Sequence, residues 1–129
     1  EFNARRQKIA TIYNSLLSDL KDYMTLPQYD EKSNSHVYHQ YTIALKGDSQ
    51  QRDAVQKLLK ERGIATMVYF PVALHRLPVF AEANKDKHLP NAERLMDNVL
   101  SLPMHTELSE SEIRYVCQQL REVTREIYG

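Results

Sequence analysis

The run Val37-Tyr38-His39-Gln40-Tyr41-Thr42-Ile43-Ala44-Leu45, closed by Lys46-Gly47-Asp48, decides how this chain folds. Val37, His39, Tyr41, Ile43 and Leu45 fall on one side of an extended backbone, and Tyr38, Gln40, Thr42 and Ala44 on the other. β-branched and aromatic side chains dominate it, as a pleated surface prefers. The spacing predicts a strand over 37–45, turned by Gly47. Asp48 or Ser49 then caps a helix whose buried face is Ala54, Val55, Leu58 and Leu59. Gly63 ends that helix in the left-handed conformation that suits glycine. Ile64 to Phe70 reads as a second strand.

Working outward, Ile9, Ile12, Tyr13, Leu16, Leu20 and Tyr23 recur at steps of three and four and predict a helix over 2–24. It ends before Pro27, because the residue ahead of a proline avoids helical angles. No capping signal precedes it, which suits continuation from a preceding domain. Leu26 to Ser35 is polar and reads as a loop. Downstream, Pro71 and Pro78 exclude a regular helix between them, leaving an ordered loop or a short helical turn. Val72, Leu74, Leu77, Val79 and Phe80 predict that this loop is packed, and 81–88 reads as a polar, mobile stretch. Pro90 opens a helix carrying Ala92, Leu95, Met96 and Val99. Leu100 to Met104 is a short strand stopped by Pro103. Ser109 and Glu112 form a capping box ahead of a last helix with Ile113, Val116, Cys117, Leu120, Val123 and Ile127 on its apolar stripe. The order α-β-α-β-α-β-α predicts an α+β fold, one small sheet of about three strands covered by helices, over a single domain 1–129.

The chain has 129 residues and 17 basic against 17 acidic side chains, so it carries no formal net charge. That balance disfavours nucleic acid and acidic membranes as partners. No apolar run has the length of a membrane span. A lone cysteine, Cys117, permits no internal disulfide and suits a reduced, cytoplasmic setting. Glycine occurs only at 47, 63 and 129, which leaves no glycine-rich phosphate loop.

Few residues are placed for chemistry. His36 and His39 face opposite sides of an extended segment, so no metal site is expected. Cys117 lies on the apolar face of a helix interior, where a thiol is inert packing. The acidic residues, Glu93 included, fall mostly on predicted solvent faces. The stretch Tyr69-Phe70-Pro71-Val72-Ala73-Leu74-His75-Arg76 is different: two aromatics, a histidine and an arginine share one proline-braced loop at a strand exit. Two readings fit it. It displays binding groups, as loops on rigid scaffolds do, or it plugs the core while His75 and Arg76 face water.

Several blocks, in order, carry a resemblance. They are Arg6-Gln7-Lys8-Ile9-Ala10 with Tyr13, His36 to Ile43, Arg52-Asp53, Gly63 to Thr66, Tyr69 to Arg76 with Pro78, Leu89 to Arg94, and Leu100 to His105. Together they resemble the C-terminal domain of the DegT/DnrJ/EryC1/StrS family, pyridoxal-phosphate-dependent aminotransferases acting on keto sugars attached to nucleotides. The resemblance implies the small domain of an aspartate-aminotransferase-like fold. It also implies a separate N-terminal domain that holds the cofactor and the Schiff-base lysine, a nucleotide-sugar substrate, an amino-acid donor, and a homodimer at full length, in pathways such as cell-surface polysaccharide synthesis. None of the eight lysines (8, 21, 32, 46, 57, 60, 85, 87) matches the catalytic motif. No catalytic residue, and no pyridoxal phosphate, is therefore expected within these 129 residues.

Substrate-pocket residues implied by the resemblance are Tyr69, Phe70 and His75 on the loop and His36, His39 and Gln40 near the first strand. The alternative for the latter group is packing by Tyr38 and Tyr41, with His39 a satisfied core histidine. Tyr69 stands where the family usually has histidine, Phe70 where it has tyrosine, and Ala73 where proline is frequent, so the sugar is not specified. The competing functional reading is a self-standing, non-catalytic α+β binding or regulatory module.

Overall fold

A computed structural model describes residues 1–28 and 36–129; residues 29–35 of the predicted loop lie outside the described residues. Helix α1 spans Phe2–Leu17 and passes through a 3-10 turn at Ser18–Leu20 into a two-residue strand β1, Met24–Thr25. Strand β2 is Tyr41–Leu45, helix α2 Ser49–Glu61, α3 Pro78–Ala81, α4 Pro90–Asn98, β3 Val99–Leu102 and α5 Glu110–Tyr128. The sheet is antiparallel in the order β1-β2-β3, with Met24 opposite Leu45 and Ile43 opposite Leu100. Helix α5 packs against both α1 and α2, and α4 against α2 and β2.

The first helix is shorter than its periodicity suggests. Arg121 of α5 donates to the Leu16 carbonyl (2.8 Å), an acceptor that a further helical turn would use, and to the Asp19 carboxylate (2.8 Å). The chain then bends, the Tyr23 carbonyl accepts from Lys46 N–H (2.8 Å), and Met24 is buried beside Leu45. A strand thus replaces the predicted end of the helix.

The predicted strand 37–45 is shortened for a different reason. Tyr38 sits at φ +48°, a left-handed conformation that is strained for a bulky residue. This shifts the alternation by one residue: Tyr38 is buried while Val37 and His39 are exposed. From Tyr41 on, the predicted phase holds, with Tyr41, Ile43 and Leu45 buried. His36 Nδ1 accepts the Tyr38 N–H at 3.0 Å, its ring lying over the Tyr38 ring.

The predicted strand 64–70 reduces to one bridge. Met67 exchanges backbone bonds of 3.0 and 2.8 Å with Ser101, and no further pairing follows. Ile64, Thr66 and Val68 turn toward the core while Met67, Tyr69 and Phe70 are exposed, and the backbone pairs with the sheet only at Met67. The sheet therefore has three strands, as expected, with β1 in place of the second predicted one.

Turn and cap chemistry is as read. Asp48 caps α2 and forms a box with Gln51, and Ser109 does the same with Glu112 on α5. Gly63 lies at φ +77° with open space where a Cβ would go. Gly63→Ala is therefore expected to lower stability by about 1–2 kcal/mol through left-handed strain alone, measured by urea unfolding; an unchanged midpoint would contradict it.

The core joins α1, β1, β2, α2, β3 and α5 in one cluster. At its centre the Tyr13 and Tyr41 rings stack with centroids 4.7 Å apart. Burial holds both phenols well above their ordinary range. Each hydroxyl has a partner: Tyr13 donates to the Pro103 carbonyl (2.9 Å), and Tyr41 to Asn14 Oδ1 (2.6 Å).

Candidate functional site

The loop 69–76 leaves the Met67 bridge and is held at its far end rather than along its length. Tyr69 is 51% and Phe70 66% exposed, and Val72 and Leu74 also face outward. The expectation that the apolar members of 72–80 pack inward is therefore corrected. Only Ala73 and His75 are buried, and Leu77 is half-buried. Leu74–Arg76 form a single 3-10 turn between the two prolines, as their positions require. Residues 78–84, partly read as a polar mobile stretch, fold into α3 and a 3-10 turn.

The anchor is Glu93, in the first turns of α4. Its Oε1 meets His75 Nε2 at 2.9 Å, Arg76 at 3.0 Å and the Leu89 N–H at 3.1 Å. Its Oε2 meets His88 Nδ1 at 2.7 Å. The His75 hydrogen bond, helped by the Leu89 N–H and Arg76, lowers the carboxyl from 4.5 to about 2. The carboxylate thus ties loop, intervening turn and helix together. The sequence placed Glu93 on a solvent face; its side chain is only 12% exposed. The available signal was its position just after Pro90, where a carboxylate also meets the free N–H groups of a helix start. The reading in which His75 faces water is corrected too: it is a buried, hydrogen-bonded histidine.

Arg52, of the Arg52-Asp53 block, has a structural role. Arg52 is buried, pairs with Asp53 at 2.8 Å and donates to the Met96 carbonyl at 2.7 Å. It closes the end of α4 that is opposite Glu93.

His36, His39 and Gln40 lie on the approach to β2. Gln40 is half-buried, and the exposed His36 ring lies tilted against Tyr38, centroids 4.1 Å apart. The exposed His39 lines a groove of about 260 Å³ with Phe2, Arg6, Met104, His105 and Thr106. Among the described residues, no hydrogen bond or ion pair joins 36–40 to 69–76.

Cys117 is buried among apolar residues, and burial pushes its thiol up to about 12. Reaction with a thiol reagent in the native state is expected to be far slower than in urea; fast native labelling would contradict the burial. Among the described residues no three His, Cys, Asp or Glu side chains are grouped to hold a metal ion. No helix of the described residues is long and apolar enough to cross a membrane. The seven lysines among them are all exposed, whereas a lysine forming a Schiff base must be partly desolvated.

The profile of the DegT/DnrJ/EryC1/StrS aminotransferase family matches residues 1–121. A curated relative, the "Pleiotropic regulatory protein" of Geobacillus stearothermophilus, is 41% identical over 122 residues, covering 94% of this chain and 32% of its own. The dTDP-4-dehydro-2,3,6-trideoxy-D-glucose 4-aminotransferase of Saccharopolyspora spinosa is 35% identical over 125 residues, covering 95% and 30%. The crystal structure of DesV from S. venezuelae in complex with a ketimine intermediate superposes with a TM-score of 0.83 at 32% identity, covering 95% of this chain and 32% of that one. The chain spans 22–32% of the length of the curated relatives it matches.

Proposed function

The chain belongs to the DegT/DnrJ/EryC1/StrS aminotransferase family, and from that membership we propose that it acts as the C-terminal domain of a pyridoxal-phosphate-dependent aminotransferase for a nucleotide-linked keto sugar. In this reading the cofactor and its lysine belong to a preceding domain, α1 continues from it, and the whole enzyme works as a homodimer. The 129 residues supply a wall of the sugar pocket through Tyr69 and Phe70, while His75 and Glu93 hold that wall in place. His36, His39 and Gln40, on the approach to β2, are the further pocket residues of this reading.

One observation carries this best. Met67, Tyr69, Phe70, Val72 and Leu74 form an exposed apolar run on the loop that leaves the sheet. A self-contained soluble domain seldom leaves such a run open, and where one occurs it marks a binding surface. The loop is also braced at its far end by Glu93, as a group that positions a ligand must be.

The test is kinetic, in the longer chain that contains these residues. Tyr69→Ala and Phe70→Ala are each expected to lower kcat/KM for nucleotide-linked keto sugars about tenfold, an effect of one lost pocket contact. Loading of the cofactor should be unchanged. Wild-type kinetics in both variants would sink the pocket role. The 129-residue chain alone, mixed with pyridoxal phosphate, is expected to gain no stable yellow adduct. A stable one would place the reactive lysine here and overturn the division of labour. A reading frame that begins at residue 1, with no lysine-bearing domain before it, would favour the self-standing module instead.

A further inference from the structure

Arginines in this fold are almost all occupied where they are shielded. Arg52, Arg62 and Arg121 are buried or half-buried, and each has a carboxylate within 3.1 Å. Arg6 is half-buried as well. Among the described residues no carboxylate pairs with it and no hydrogen bond engages its guanidinium. A partly desolvated guanidinium without an acceptor is costly to keep. It faces the groove lined by Phe2, Arg6, His39, Met104, His105 and Thr106.

That lining holds one guanidinium, two imidazoles and one hydroxyl, and no carboxylate. The nearest acids already have partners, Glu107 at the rim of the groove itself. Glu107 accepts from Arg5 and from the Thr106 hydroxyl, and Glu1 pairs with Arg5. Glu112 accepts from the Ser109 hydroxyl and N–H, which hold its carboxyl below its ordinary range. Arg6, His39 and His105 can each donate a hydrogen bond into the groove, the Thr106 hydroxyl being committed to Glu107, and Phe2 and Met104 add apolar walls.

We propose that this groove is a subsite for a phosphoryl anion. Arg6 would form the charge-assisted bonds and His39 and His105 would complete the donor set. The volume, about 260 Å³, suits a phosphate group with part of its substituent better than a whole nucleotide sugar, since full ligand pockets run upward from about 300 Å³. The ligand is either free phosphate or the diphosphate of a nucleotide; both present the same oxygens. The assignment rests on the groove's own residues and extends beyond the aminotransferase reading.

The test uses the 129-residue chain, titrated with inorganic phosphate, pyrophosphate and uridine diphosphate at constant ionic strength and followed by two-dimensional NMR. Pyrophosphate is expected to shift the amides of Arg6, His39, His105 and Thr106 saturably. Arg6→Gln should weaken binding about tenfold, the loss of one charge-assisted hydrogen bond. His105→Asn should weaken it less and in the same direction, so a fault in folding of one variant does not decide the matter. Tighter binding of uridine diphosphate than pyrophosphate would uphold the groove as a nucleotide end-site, and equal binding would uphold it as a bare phosphate subsite. Equal shifts from chloride alone, no saturation below about 10 mM, or binding within twofold of wild type in both folded variants would overturn it. The kinetic assay above decides the other reading separately. Binding here with wild-type kinetics there keeps the groove and loses the pocket, and the converse loses only the groove.

Discussion

Tyr41→Ala is expected to remove about 3–5 kcal/mol of stability, the usual loss when a large aromatic side chain is cut from a packed core. The whole domain is expected to hold only about 5–15 kcal/mol, so the variant should sit near its unfolding threshold at 37 °C. The size follows from position. Tyr41 is fully buried, stacks on Tyr13, approaches Tyr38 at 6.3 Å and donates to Asn14. Tyr41→Phe separates the parts: the ring stays, the hydroxyl goes and Asn14 Oδ1 loses its donor. That change should cost about 1–2 kcal/mol. Urea unfolding of both variants checks the pair. A loss below about 1 kcal/mol for Tyr41→Ala would mean the site collapses around the gap, contrary to a packing in which α1 and β2 meet through this ring.

Glu93→Gln is expected to free the loop 73–76 from α4. In the native chain the Glu93 carboxyl is held down, to about 2 against an ordinary 4.5, chiefly by the His75 hydrogen bond. A carboxyl lowered by folding contributes stability above its unfolded value. That contribution is lost as pH falls through the folded one. The anchor should therefore be fully present above pH 4.5 and fade toward pH 2. In Glu93→Gln the neutral amide cannot pair with Arg76 or His88 as an ion, and this acid limb should flatten. At neutral pH, amide exchange at 73–76 should rise roughly tenfold by local opening, with the α1–α5 core unaffected. Hydrogen exchange and acid unfolding of the two proteins make the comparison. Identical acid limbs and identical exchange would show that Glu93 is a bystander.

What the sequence disclosed follows a physical pattern. Elements fixed by local chemistry were legible: α2 with its Asp48 cap and Gly63 stop, α4 opened by Pro90, and α5 with its Ser109–Glu112 box. Elements fixed by distant partners were not. The end of α1 depends on Arg121, about a hundred residues away, taking the Leu16 carbonyl. β1 exists because Leu45 offers Met24 a neighbour. The register slip at Tyr38 was hidden because its reversal needs a positive φ that sequence alternation assumes absent. The candidate loop was found from its residue types, yet its anchor was missed. Glu93 looks like any surface carboxylate until His75, Arg76 and His88 are seen around it.

The two-residue length of β1 and the single Met67–Ser101 bridge have a consequence for how the chain behaves in company. A sheet invites other chains to add strands wherever it presents a long run of free N–H and C=O groups. Here β2 is flanked on both sides. On one side it meets only Met24–Thr25, and beyond β3 the backbone is interrupted by an isolated contact. Among the described residues neither border is a template long enough to recruit a neighbour's strand. Self-association through edge pairing and fibril seeding are thereby discouraged, and contact with other molecules is left to side chains.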